Sequence, residues 1–461
     1  MKKSKKTVLI TLFVLNIAIY SAFGAMFAIN KAEEKNINQP VYVSNVTTGE
    51  ITSIKCDFPA SGESSFELNK NGDSWTCLSE QDFPLNSEAI AALIEKTQNL
   101  TAARMVASNT EDYSQYGLDN PTCQITFTDS EGNSQTYLLG NFNENLNRYY
   151  VCEQGKSDIY IINKSIGEQM SSPLYSYAAA FDLSGLSRTT LNSLHILNGE
   201  NEIDISKFDI DQNSPMGSSS AWRFLKPFSS STFADTNKIE VLIAKLTKSA
   251  AAQCVAFNPT DEQLASYGLL SPESSISVNY TVDDAEKQAA MYVGKQNNDG
   301  SAYIMFDGSN IVALSNSNTM SNISEYLDSY KYVPQSICAV KKTAIDSMEV
   351  SYGGETFIFD FTDNGYTKNS VPCDSESFEA FFNKLSGINS TSHSYEAEGV
   401  QPAVNSLIVT YHLKDTSYGD IQAVYTPYNQ DYYTASSGET SGRLVNIRTV
   451  ESVIGLLQNV K

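Results

Sequence analysis

The sequence predicts an α+β protein: an N-terminal transmembrane helix followed by three similar units, each an antiparallel sheet packed with helices. Three observations predict it. The stretch Tyr116-Gly117-Leu118-Asp119-Asn120-Pro121 returns as Tyr267-Gly268-Leu269-Leu270-Ser271-Pro272. An apolar stripe at helical spacing occurs in each of three successive segments, and runs of alternating apolar and polar residues surround each stripe.

The first element is the most legible. Lys2, Lys3, Lys5 and Lys6 precede an uncharged run from Thr7 to Asn30, about 24 residues. At 1.5 Å per residue such a run crosses a bilayer core of about 30 Å. The basic flank predicts a cytoplasmic N-terminus, which puts everything after Lys31 outside. Ala22-Phe23-Gly24 resembles a signal-peptide cleavage site, but the apolar run continues through Met26, Phe27, Ala28 and Ile29, so an uncleaved anchor is the preferred reading. The expected divisions are a cytoplasmic tip and anchor (1–30), a polar tether (31–48), unit one (49–186), unit two (187–333) and a degenerate unit three (334–461).

Each unit opens alike. Ile51-Thr52-Ser53-Ile54, Leu191-Asn192-Ser193-Leu194 and Ile345-Asp346-Ser347-Met348 begin a strand. A second strand and an aromatic one follow, at Trp75, Trp222 and Tyr366; Gly72-Asp73 and Asn364-Gly365 supply turns. Helices come next: Ile90, Leu93, Ile94 and Thr97 keep the 0, 3, 4, 7 spacing of one helical face. Ile239, Leu242, Ile243 and Leu246 repeat it, as do Phe378, Phe381, Phe382 and Leu385. Such stripes are core far more often than partner grooves and should cover one face of a sheet. The remaining strands are expected at 124–128, 135–139, 148–152 and 158–162 in unit one, and at 275–281, 289–293, 302–306 and 310–314 in unit two, with Gly140 and Gly294 closing equivalent strands. Unit three keeps Pro402, a strand at 406–412 and Tyr432-Tyr433 but lacks the Tyr-Gly-Leu turn. Each unit is expected to end in a helical tail, clearest in the last, where Val450, Val453, Ile454 and Leu457 keep helical spacing.

The repeated turn reads as a helix end. Thr110 and Thr260 can cap short helices, and Gln263 completes a capping box. Gly117 and Gly268 stand where a left-handed residue is needed, and Leu118 and Leu269 should fold back onto Tyr113 and Leu264. Pro121 and Pro272 stop the helix from resuming. Every residue of the motif has a structural use, so a structural corner is expected in preference to a ligand site.

The formal net charge is −22. A surface that acidic repels nucleic acid and anionic headgroups, so neither is an expected partner of the folded part. The seven cysteines, with no Cys-x-x-Cys, lack metal spacing. One or two disulfides are conceivable outside the cell, and buried free thiols are the simpler reading.

Together, the Lys-rich single span, the strand near Trp75, Tyr116-Gly117-Leu118 with Pro121, Leu139-Gly140 and Tyr149-Tyr150-Val151 resemble the bacterial domain-of-unknown-function family forty-three forty. The resemblance covers unit one well, unit two fairly well, and unit three only in its layout. It implies a cell-envelope accessory role beside ABC-type transporters of the gliding-motility kind, and it supplies no catalytic or binding residues.

No catalytic, cofactor-binding or metal-binding residues are assigned from the sequence. Its three histidines, His195, His393 and His412, form no pair at short spacing. Gly72-Asp73-Ser74 reads as a turn, not a nucleophile block, and Gly438-Glu439-Thr440-Ser441-Gly442 does not fit a nucleophile elbow. Asp209, Asp211 and Asn213 suggest a calcium loop, but Ser214 and Ser220 occupy its Gly and Glu positions. The leading expectation is a non-enzymatic extracytoplasmic accessory protein, held at the cell membrane by its N-terminal helix and associated with an ABC-type transporter. A cell-wall glycan-binding module using exposed Tyr and Trp is the alternative, although Trp75 and Trp222 are expected to be buried. A hydrolase is the third reading and would need a pocket with a carboxylate pair or a Ser–His contact.

Overall fold

The structure is a computed structural model that describes residues 41–44, 49–98, 100–209, 213–216, 221–316, 323–363 and 365–461. The expected anchor, most of the tether and Asn364 of one turn lie outside the described residues. Among the described residues, no helix is long and apolar enough to cross a membrane. The chain divides into two compact units, one ending at Ala179 and one spanning Ala180–Lys461.

The fold is α+β and built on three large sheets whose pairings are all antiparallel. In the first, the spatial order is Ser74–Cys77, Phe66–Asn71, Ile51–Asp57, Cys123–Asp129, Ser134–Asn143, Arg148–Glu153, Ile159–Asn163 and Arg104–Ala107. The second keeps that order with Trp222–Lys226, Asn201–Lys207, Leu191–Asn198, Ser274–Val282, Ala285–Gln296, Ala302–Phe306, Ile311–Ser315 and Gln253–Phe257. The third keeps it again, from Gly365–Lys368 through to Ser392–His393, and adds Val371–Pro372 at one edge. Three strands thus meander to one edge, a helix follows, and a short strand closes the opposite edge before the chain returns to the centre.

The helices form where the apolar spacing and the caps coincide. Ser87–Gln98 is capped by Asn86, whose side chain accepts from the N–H groups of Glu88 and Ala89. Thr236–Ser249 is capped by Asp235, and Ser375–Ser386 by Asp374. Ile239, Leu242, Ile243 and Leu246 pack with Leu194, Ile196, Val278 and Met291 of the second sheet. In the third module Phe359 lies 5.2 Å from Phe378 and 5.8 Å from Phe381, and Val450, Val453, Ile454 and Leu457 of the Ile447–Asn459 helix join the same core.

Several elements differ from the sequence expectation. The first Tyr-Gly-Leu copy ends a single 3-10 turn, Ser114–Tyr116, whereas the second ends a true helix, Asp261–Tyr267. Thr110 does not cap a helix: its hydroxyl takes the N–H of Asp112, and the Asp112 carboxylate takes that of Ser114. Gly140 and Gly294 do not end their strands, which run on past them with a shift of register. The short strands that close each sheet after the helix were not anticipated. Among the described residues module two ends in two 3-10 turns, Ile323–Leu327 and Ser329–Lys331, and not in a helical tail. Trp222 is buried as expected, but Trp75 is half-exposed on an edge strand. Among the described residues no two cysteines form a disulfide, and six of the seven are buried.

Candidate functional site

The repeated motif is a corner on the sheet. In the first copy the Tyr113 carbonyl accepts from the N–H of Leu118 at 3.1 Å, and in the second the Leu264 carbonyl accepts from that of Leu269 at 2.8 Å. Gly117 and Gly268 have φ of 68° and 72°, the left-handed conformation that a Schellman end requires. Leu118 and Leu269 are buried, packing beside Tyr113 with Tyr116 and Leu264 with Tyr267. Tyr116 meets Tyr150 edge-on at 5.0 Å, and Tyr267 meets Tyr303 at 4.6 Å. Past Pro121, Thr122 donates its N–H to the Leu139 carbonyl at 2.7 Å; Pro272, in the second copy, precedes the Ser274–Val282 strand. Because side chains alternate along a strand, Tyr303 and Met305 belong to this cluster while Ala302, Ile304 and Phe306 belong to the helix-covered core. The third module covers the corresponding face with the Tyr395–Ala397 turn, whose Ala397 carbonyl accepts from the Thr434 hydroxyl at 3.1 Å. The motif residues are engaged in packing and backbone bonding, so their arrangement is that of a structural corner.

One histidine lies in a cluster of groups able to hold a cation. His195 Nδ1 is 2.5 Å from Asp204 Oδ1 and 3.6 Å from Glu202 Oε1. Spacing along the chain does not reveal the group, because its members come from two strands, with His195 directly opposite Asp204. The Lys226 ammonium already pairs with Glu202 at 2.5 Å. In module one the matching cross-strand positions hold Lys55 and Glu67. Both modules therefore place a base opposite an acid, and the cluster reads as a cross-strand charge ladder.

The second compact unit contains a more unusual arrangement, between its two sheets. Arg443, on the Thr440–Asn446 strand, is only 4% exposed. Its guanidinium donates to the carbonyls of Pro334, Gln335 and Ser336 in the segment that joins the two modules, and it also reaches the Ser390 hydroxyl. Among the described residues all its acceptors are neutral, and burial lowers its pKa to about 10. Around it the two modules are pinned side chain by side chain. His393 lies flat on Tyr330, with centroids 3.4 Å apart, and the Tyr395 hydroxyl donates to Asp328 at 3.0 Å. Glu439 accepts from the Ser229 N–H at 2.5 Å and the Thr232 hydroxyl at 3.2 Å.

A cleft of about 400 Å³ opens beside this joint, walled by Met216, Phe233, Ile337, Gln422, Arg223 and Arg443. The Arg223 guanidinium lies over two rings, 5.6 Å from the Phe208 centroid and 5.1 Å from that of Phe233. Among the described residues its hydrogen bond is a long one, 3.4 Å to the Ser230 carbonyl, and its Nε is buried with no partner. The carboxylate on the wall, Asp420, faces His412 at 3.0 Å. Neither a carboxylate pair nor a Ser–His contact lines the cleft among the described residues. Sequence reading missed this site because its residues are scattered from 214 to 443.

No curated protein and no solved structure matches the chain. A family model, described as Domain of unknown function (DUF4340), matches it twice, over residues 75–232 and 222–401. Each match opens on the aromatic strand of one module, at Trp75 or Trp222, and runs into the opening strands of the next. With the two copies spanning more than half of the sequence, the chain belongs to the DUF4340 family.

Proposed function

We propose that the protein is a non-enzymatic accessory protein of the cell envelope, anchored by residues 1–30 with its modules outside, and that those modules bind or brace an ABC-type transporter. The observation that carries this reading is the recurrence of one strand order in three successive sheets. What recurs with it is packing: the helix stripe and, in two modules, the Tyr-Gly-Leu corner. The His195 cluster and the Arg223 cleft each belong to particular modules and do not recur. Repetition of a frame without a repeated reactive group suits a surface for protein contact better than a catalyst. The lysines before the apolar run support the orientation. The test is affinity capture of the detergent-solubilised, full-length protein from its own membranes. Transporter subunits should be recovered repeatedly and in near-equal amounts; their consistent absence would defeat the proposal.

The half-exposed Trp75 keeps one other reading in view, a cell-wall glycan-binding module, since an indole on an edge strand can stack on a sugar. Sedimentation with purified peptidoglycan, lost in Trp75→Ala, would favour that reading over transporter binding.

A further inference from the structure

We infer that the cleft beside Arg223 and Arg443 is a binding site for a small organic carboxylate, its acid group at Arg223 and its apolar body against Phe233, Met216 and Ile337. Size sets the first limit. About 400 Å³ falls within the range of small-molecule sites, roughly 300–1,000 Å³. Charge sets the second. In a chain of net charge −22, two guanidiniums on one cleft have only neutral acceptors among the described residues. Arg443 is almost wholly buried, so its charge is weakly screened and makes the neighbouring space positive.

The orientation of Arg223 sets the third limit. The Phe208 and Phe233 rings flank its guanidinium, which leaves the N–H groups at its edge as the donors for a ligand. Among the described residues, one long bond to Ser230 leaves most of those donors uncommitted. A planar carboxylate matches such an edge in shape and charge. A polyanion does not fit as well, because Asp420 stands on the same wall and the rest of the chain is strongly acidic. Mixed apolar walls then favour a ligand with a hydrocarbon or aromatic body. That chemistry is shared by free organic acids and by the C-terminus of a peptide.

The experiment titrates the full-length chain, in detergent, with four probes followed by NMR: 4-fluorobenzoate, 4-fluorobenzamide, acetyl-Ala-Leu, and the same dipeptide as its C-terminal amide. One or both acids should bind at least about tenfold tighter than the matching amide, the factor expected of a charge-assisted bond. Preference for the dipeptide acid assigns a peptide terminus, and preference for fluorobenzoate a free acid. Arg223→Gln should abolish the difference between acid and amide. Gln422→Trp, an exposed position at the cleft, should block both acids without lowering the melting temperature. Equal affinity for acid and amide, binding unchanged in both variants, or no binding by any probe would each overturn the assignment.

Discussion

A Cβ on Gly140 would stand 2.2 Å from the carbonyl oxygen of Tyr116, and one on Gly294 would stand 2.3 Å from that of Tyr267. The obstacle in both cases is backbone and cannot rotate aside. Gly140→Ala or Gly294→Ala should therefore lift the corner off its strand and cost about 1–3 kcal/mol, the usual range for overpacking. At Gly117 a Cβ meets only the Asn141 side chain, which can move, so Gly117→Ala should cost chiefly its left-handed φ, about 1 kcal/mol. Urea unfolding checks the pair. A Gly140→Ala midpoint equal to that of the parent would show that the turn does not rest on this strand.

How far the sequence revealed this corner follows from the range of the signals. Gly117 and Leu118 are read locally, because a Schellman end is a relation among residues at most five apart. The helix stripes are equally local, and apart from the half-buried Ile94 the same residues turn out to be the buried ones. The reason for Gly140 is not local, since it depends on a carbonyl 24 positions earlier in the chain. The closing strands escaped notice for the same reason. Ser392–His393 is too short to show alternation and is defined only by its pairing with Arg443 and Leu444. The Arg223–Arg443 cleft lay beyond reach, because nothing in either residue's neighbourhood announces the other.

The two tryptophans provide separate reports on burial. Trp222 is 3% exposed, while Trp75 is half-exposed. Acrylamide should quench the fluorescence of Trp222→Phe, which keeps Trp75, several-fold more strongly than that of Trp75→Phe. Trp222→Ala should cost about 3–5 kcal/mol, as large core truncations do, and Trp75→Ala clearly less. Equal quenching of the two single-tryptophan variants would contradict the placement of the edge strand.

The thiols should be inert in the native protein. Burial raises the pKa of Cys152 and of Cys338 to about 11, and Cys56, in contact with Cys123, is raised well above the ordinary thiol range. At pH 8 a thiol of pKa about 11 is roughly one part in a thousand thiolate, the form that reacts. Maleimide should label Cys373, the half-exposed one, and spare the other six until urea is added. Rapid native labelling at more than one cysteine would be inconsistent with these cores.

Arg443 should be the least replaceable side chain between the second and third modules. Its removal leaves the carbonyls of Pro334, Gln335 and Ser336 without their donor and opens a void beside the linking segment. Arg443→Ala should lose on the order of 3 kcal/mol, with faster proteolysis near residues 334–337. Arg443→Lys should recover only part of this, because a single ammonium cannot match a planar fork. Proteolysis unchanged in the alanine variant would mean that the linker is held by other contacts.

Glu439 gives the same joint a dependence on pH. The Ser229 N–H holds its carboxylate below the usual range against an opposing effect of burial, and the Ser229 and Thr232 hydroxyls add to the lowering. A folded pKa depressed below the unfolded one adds stability that is present above the unfolded value, about 4.3. That stability disappears as pH falls through the lowered folded value. The carboxylate is well exposed, so the contribution is small, roughly 0.5 kcal/mol. Glu439→Gln should melt slightly below the parent at pH 7. The two curves should then converge as pH falls from about 5 to 3, because protonation removes from the parent what the substitution has already removed. Melting temperatures that stay parallel across this range would show that the bond to Ser229 does not depend on the ionised form.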